Sequence, residues 1–278
     1  MTKMAVRSRF SVVGAHLVLG GLLFLTMIPY MVMVIRSFKS LNQIAISQVF
    51  PTLPLHYGNY IEAWNSISQF MLNSVLVVVL TLGGVLVLSS VTAYVFARYD
   101  FPGREFLFWL VMALLMIPGI ISLIPLFVLV ARDLNLKNNY LGLVLPYWAG
   151  GQVFAIFVLR TFFASLPEEM YESARLDGAG HLRLYWDITL PLSGPVLSVI
   201  AILNIIGTWN DYLWPLLILT DVKMRTVTIG LTFLRDVTFP RPGVEMAAYV
   251  IASIPMFLLF LVAMRTFIRG ITAGALKL

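Results

Sequence analysis

Two small groups of residues in this chain have the composition and spacing to do something other than pack. The first is a polar, small-residue island, Glu172-Ser173-Ala174-Arg175-Leu176-Asp177-Gly178, followed ten residues after its glycine by Ile188-Thr189-Leu190-Pro191. Pro167, with Glu168 and Glu169 behind it, suits a helix start, because carboxylates favour the positive end of the helix dipole. Gly178 suits its stop, since glycine tolerates the left-handed conformation. The resulting helix of about ten residues is too short to persist alone in water and needs a partner surface. Met170 and Ala174 share a face at i, i+4 with Tyr171 beside them. Small Ser173 and Ala174 let another surface approach closely, and His181, Leu184, Tyr185 and Ile188 continue at helical spacing beyond the turn. The second group is Trp209-Asn210-Asp211-Tyr212-Leu213-Trp214. It combines aromatic faces with hydrogen-bonding groups, a combination that suits a sugar or, equally, polar contacts between helices.

Covalent chemistry is not indicated. There is no cysteine, so no disulfide, thiol nucleophile or thiolate metal site. No Gly-rich loop ends in Gly-Lys-Ser/Thr, so the chain is not expected to hold ATP. There is no HExxH or GxSxG, and His16, His56 and His181 stand too far apart to suggest a metal site. The expected cofactor content is therefore none.

The elements that must position these groups are membrane helices. The 278 residues are 60% hydrophobic and only 12% charged, with mean hydropathy +0.91, and soluble domains carry about twice that charge. Six nearly charge-free runs are each long enough to cross a bilayer: about Val12–Ile35, Met71–Phe96, Leu107–Val130, Leu141–Phe163, Gly194–Ile218 and Ala247–Ile268. They do not alternate as barrel strands would, so the expected fold is an all-α integral membrane protein of six transmembrane helices, with the 165–191 loop between the fourth and fifth. The first run follows Lys3, Arg7 and Arg9 but is too long for a signal peptide and reads as a retained anchor. With the amino terminus placed in the cytoplasm, inner segments hold eleven Lys and Arg and outer segments eight. That bias, together with the charged amino-terminal tail, puts both termini and the 165–191 loop inside. The expected division is residues 1–70 (tail, first helix, outer loop) and a core of 71–278. A net charge of +6 suits anionic lipid, and nothing indicates a nucleic-acid site. Pro102-Gly103 predicts a type II turn between the second and third helices. Asp211 is the one carboxylate well inside a predicted helix, which makes it a functional candidate.

The pattern Glu-small-Ala, three residues, Gly, nine residues, Ile-x-Leu-Pro resembles the signature loop of permease subunits of ATP-driven, binding-protein-dependent importers. The Trp209–Leu216 stretch is similar to that of the carbohydrate branch, as are Tyr94-x-Phe96-Ala97-Arg98-Tyr99-Asp100-Phe101-Pro102-Gly103-Arg104, Asn59-Tyr60 and the tail Gly270-Ile-Thr-Ala-Gly274. Together they are most like the second permease of a maltose-type or glycerol-phosphate-type system.

The resemblance implies that the loop helix docks into a cleft of a cytoplasmic ATPase. Glu172 would pair with an ATPase cation, Ala174 would allow close contact and Gly178 would make the turn. Met170, Asp177, Ala179 and Pro191 complete the ATPase-coupling segment. Ser173 stands where the family has a first alanine, and is still small. The implied partners are a second permease, two ATPase subunits carrying ATP and Mg, an extracytoplasmic solute-binding protein and a sugar. The setting is a bacterial or archaeal cytoplasmic (inner) membrane, and the implied mechanism is alternating access. Trp209, Asn210, Asp211 and Tyr212 become candidates for the translocation path. An oligosaccharide is the first expectation and a polyol phosphate the second. The rival class is a secondary carrier or channel, which would have no use for the structured inner loop.

Overall fold

In the computed structural model the backbone of residues 2–234 and 240–275 and the side chains of residues 12–234 and 240–264 are described. Arg235 and Lys277, counted above for topology, lie outside the described residues. So do the side chains of Lys3, Arg7, Arg9, Arg265, Arg269 and the Gly270–Gly274 motif. Among the described residues the regular structure is entirely helical.

Long apolar helices form where the sequence has long apolar runs: α1 (Thr2–Ser37), α3 (Gly58–Arg98), α6 (Leu141–Ala164) and α13 (Pro242–Ala275), with a short helix α2 (Leu41–Ile46) after α1. These four long helices are apolar enough to cross a membrane, and the number becomes six if each of two bent pairs counts as one span. The first bent pair is α4 (Arg104–Ala113), with a short 3-10 extension, and α5 (Gly119–Phe127), with a π-helical extension; it bends by 94° at a break before Gly119. Pro118 stands at that break with ψ 123°, in extended conformation. Its missing N–H and its restriction on the preceding residue explain why the third apolar run is not one straight helix.

The second bent pair bears on the functional segment. Helix α7 (Glu168–Leu176) is followed by α8 (His181–Arg183), a π-helical stretch (Leu184–Thr189) and α9 (Leu190–Leu192). The chain then bends by 73° into α10 (Gly194–Asn210). Where the sequence predicts one helix to Ile218, α10 stops at Asn210 and α11 (Leu213–Ile218) begins after a two-residue break. Further on lies α12 (Val227–Phe233). The Phe101–Arg104 turn forms as expected: Gly103 has φ +82° and ψ 4°, and Arg104 N–H donates to Phe101 O at 3.2 Å.

The chain packs as two units. One comprises residues 1–67 and 231–253; the other comprises 68–230 and 254–278. The sequence-based boundary at residue 70 follows loop position, whereas packing gathers 231–253 with the first unit. In the first unit every described side chain of α1 up to Met31 is exposed, as befits a helix whose surroundings are apolar. The buried Lys39 ammonium there donates to Ser47 O and Phe50 O, closing the segment that follows α1. In the second unit the core gathers Val85, Ala93, Tyr94, Leu159, Phe163, Tyr171, Leu184 and Tyr185, so α7 and the π-helical stretch are packed onto α3 and α6.

Candidate functional site

Helix α7 is held from one side and displayed on the other. Its anchor is Tyr171, fully buried, whose ring lies under the Arg98 guanidinium at 3.8 Å. The Thr189 hydroxyl donates to Leu184 O at 3.0 Å. Its single proton being used there, Tyr171 OH must donate to Thr189 Oγ1, 2.8 Å away. Burying a side chain of this size contributes about 2–3 kcal/mol, which offsets the weakness of a nine-residue helix.

The helix ends as the sequence predicts. Gly178 takes φ +82°, its N–H donates to Arg175 O at 3.0 Å and Ala179 N–H donates to Ala174 O at 2.9 Å. These are the two bonds of a Schellman stop. Pro167 is the N-cap, with Glu168 and Glu169 in the first turn and Arg175 in the last, all favourable to the helix dipole.

The displayed face carries Glu172, Ser173 and Asp177, all exposed, with Met170 at its margin. Beside them Leu176 is 90% exposed and Leu182 is 76% exposed. Glu168 is engaged by Arg98 at 2.6 Å and Arg175 at 3.1 Å, but Glu172 has no ion-pair partner among the described residues. An unpaired carboxylate flanked by bare leucines on a well-fixed helix offers a charge and an apolar contact to a second surface.

Two expected contributors sit differently. Ala174 and Ala179 are half-buried and pack inward against the Tyr171 cluster, so their small size serves the seating of α7 on its own bundle. Pro191 is exposed within α9, one turn before the 73° bend.

The second group occupies the break between α10 and α11. Asp211 is the residue at which the helix stops, with ψ 129°. Its Oδ1 accepts from Leu213 N–H at 3.1 Å and Trp214 N–H at 3.4 Å, capping α11, while Oδ2 accepts from Tyr147 OH at 2.7 Å. A side chain that captures backbone donors in this way competes with helix continuation, which accounts for the break. The Asp211 carbonyl also accepts from Thr228 Oγ1 at 2.8 Å, so the residue ties α6, α11 and α12 together. Both carboxylate oxygens are thus occupied within the chain.

Of its neighbours, Trp209 is buried and helps line an apolar cavity of about 330 Å³ with Val75, Val78, Ile205, Pro255 and Met256. Trp214 is buried with its N–H on Gly142 O at 3.2 Å. Asn210, Tyr212 and Leu213 are exposed, and of these Asn210 and Tyr212 carry polar groups.

Sequence reasoning missed Asn204 and Thr208. With Pro146, Tyr147, Gly150 and Gly151 they line a cavity of about 390 Å³ between α6 and α10. Their signal was available as polar residues four apart in an otherwise apolar run. Thr189 and the partners of Arg98 were not foreseeable, because they depend on which backbone carbonyls come near.

The described residues contain no group of three or more His, Cys, Asp or Glu able to hold a metal. The geometry therefore describes a short, firmly seated polar helix on a bundle of apolar helices and a polar break inside that bundle.

Comparison with known proteins agrees with that class. Residues 86–273 match the family described as binding-protein-dependent transport system inner membrane component. The chain belongs to this family and is a transmembrane permease of a binding-protein-dependent system. It is 34% identical to the probable ABC transporter permease protein YurM of Bacillus subtilis, covering 90% of this chain and 83% of that one. Identity is also 34% to the diacetylchitobiose uptake system permease protein NgcG of Streptomyces coelicolor, over 91% and 85% of the two chains. It rises to 37% with the sn-glycerol-3-phosphate transport system permease protein UgpE of Yersinia pestis, over 72% and 71%. The fold matches a chain from the crystal structure of a bacterial ABC transporter involved in the import of the acidic polysaccharide alginate. That match has TM-score 0.83 at 22% identity, over 93% of this chain and 96% of the other.

Proposed function

We propose that the chain is the membrane-spanning half of an ATP-driven importer that passes a neutral oligosaccharide inward. It would act beside a second permease, with two ATPase subunits below and a solute-binding protein outside. The observation that carries this reading is the exposed face of α7. Among the described residues Glu172 has no ion-pair partner, while Tyr171 fixes the helix from beneath. In this reading Glu172, Ser173, Asp177, Met170 and Gly178 form or shape the ATPase-facing surface. Ala174 and Ala179 set how deeply α7 seats on the bundle, and Pro191 ends the segment at the bend that leads into α10. ATP and Mg belong to the partner subunits, and hydrolysis happens there. The 1–70 segment acts as anchor and outer loop, the remainder as the translocating core, and both termini lie in the cytoplasm.

Asn210 and Tyr212 are the groups left to meet a passing sugar, with Trp209 and Asp211 as the frame that holds the break open. Relatives named for a disaccharide and for a glycerol phosphate both support a polyhydroxylated substrate. Residues 194–218 contain no Lys or Arg to receive a phosphate, which favours the neutral sugar.

The test is purification from the native membrane followed by reconstitution with its co-purifying subunits. Uptake of labelled N,N′-diacetylchitobiose, arabino-oligosaccharides and glycerol 3-phosphate is then measured with and without internal ATP. Uptake of a sugar that requires ATP and a co-purifying ATPase is expected. Transport by the chain alone, indifferent to ATP, would replace this reading with a secondary carrier or channel.

A further inference from the structure

Arg98 is the last residue of α3, and its side chain is 8% exposed. One Nη donates to Glu168 Oε2 at 2.6 Å; the other donates to Phe163 O at 2.6 Å and Leu166 O at 2.9 Å. The guanidinium plane covers the Tyr171 ring at 3.8 Å. A single planar group therefore joins the end of α3, the carbonyls just at and beyond the end of α6, and both the first turn and the buried anchor of α7. Phe163 O, in the last turn of α6, also accepts from Leu166 N–H at 3.3 Å, and a cation beside it suits the negative end of the helix dipole. Charge-assisted bonds from a fixed fork are the strong and directional kind. Among the described residues the Arg98–Glu168 pair is the polar link between the side chains of α7 and α3. The other routes out of α7 run through Tyr171 to Thr189 and along the chain through the π-helical stretch, which meets α3 at the Ser90–Tyr185 hydroxyl pair, 2.7 Å apart, before continuing to α10.

We propose that Arg98 is the positioning residue through which displacement of α7 reaches the cytoplasmic end of α3. The proposal rests on the reading of α7 as the ATPase-docking helix and extends it. Force entering at Glu172 is divided, with one branch passing through the π-helical stretch to α10 and to Ser90 within α3, and the other going straight through Arg98 to the end of α3. A lysine cannot serve, because a point charge on a flexible stem cannot hold two carbonyls, a carboxylate and a ring face at once.

Hydrogen–deuterium exchange on the whole co-purified complex tests this without knowledge of the transported sugar. Exchange is compared before and after trapping the ATPase with ATP, Mg and orthovanadate. In the native complex both residues 168–178 and residues 90–100 should change protection on trapping. In Arg98→Lys the change at 168–178 should persist while that at 90–100 falls at least twofold, the Ser90–Tyr185 pair carrying the remainder. Glu168→Gln, which loses the ion pair and keeps the carbonyl contacts, should lose about 1.5-fold at 90–100; it decides alone if the Lys variant does not assemble. An undiminished response at 90–100 in these variants overturns the role of Arg98. If instead residues 168–178 of the native complex fail to respond to trapping, the docking reading itself is at fault.

Discussion

Tyr171 shows how a residue can matter to the proposed docking surface without being on it. Its ring supports α7 and its hydroxyl reaches Thr189 in the segment beyond the turn. Tyr171→Phe removes one buried hydrogen bond and leaves Thr189 Oγ1 without its donor, which should cost about 1 kcal/mol. Tyr171→Ala should cost about 3 kcal/mol by cavity formation and lower the thermal stability of the purified complex far more. Asp211 makes the opposite case. A carboxylate in an apolar run reads from sequence as a functional ion, yet its oxygens are spent on Tyr147 and the first turn of α11. Asparagine can cap as aspartate does, so Asp211→Asn should keep both stability and substrate preference in the uptake assay. Asp211→Ala should lose about 2 kcal/mol from the cap and the stranded Tyr147 hydroxyl together. A changed substrate preference in Asp211→Asn would put the carboxylate on the path after all. The carboxylate's identity was legible in the sequence, but its partners were not, since Tyr147 lies 64 positions away.

At the scale of elements, the long apolar runs and the short polar helix were all legible, because hydrophobic length and capping chemistry are local properties. Pro167, the two following glutamates and Gly178 bound α7 within a residue or so of where the sequence puts it. Gly178→Ala forces a side chain into φ +82° and should cost about 1–2 kcal/mol. The loss should appear as faster hydrogen exchange at residues 174–179. What could not be read was the breaking of helices. Pro118 and Pro125 both fall within the third apolar run, yet the chain bends at the first and continues helical through the second. Proline permits a break, and tertiary packing selects which one is used. The inward packing of Ala174 was hidden for a related reason: its spacing from Met170 fits two faces, and only the position of Tyr171 decides between them.

At the scale of the molecule, composition identified a membrane bundle, and the 166–191 segment supplied the reason to expect a motor below it. Orientation rests on a modest charge bias and is open to direct measurement, because the native chain has no cysteine. Single cysteines at exposed Asp100 and Lys137 should report opposite sides of the membrane to an impermeant maleimide. Lys137→Cys should label in intact cells, and Asp100→Cys only after lysis. Function should fail at the docking face before it fails anywhere else: Glu172→Lys should leave the chain inserted while reducing uptake at least tenfold, read as transport normalised to the amount of permease in the membrane.

The most direct test places a benzophenone cross-linker on a cysteine at Leu176, in the otherwise cysteine-free chain, within the complex as it exists in its own membrane. Irradiation should join this chain to an ATPase subunit, identified by peptide mass, and Glu172→Lys should suppress the adduct. The account is contradicted if position 176 yields no protein adduct and reacts with a water-soluble maleimide as fast in the complete assembly as in the separated chain.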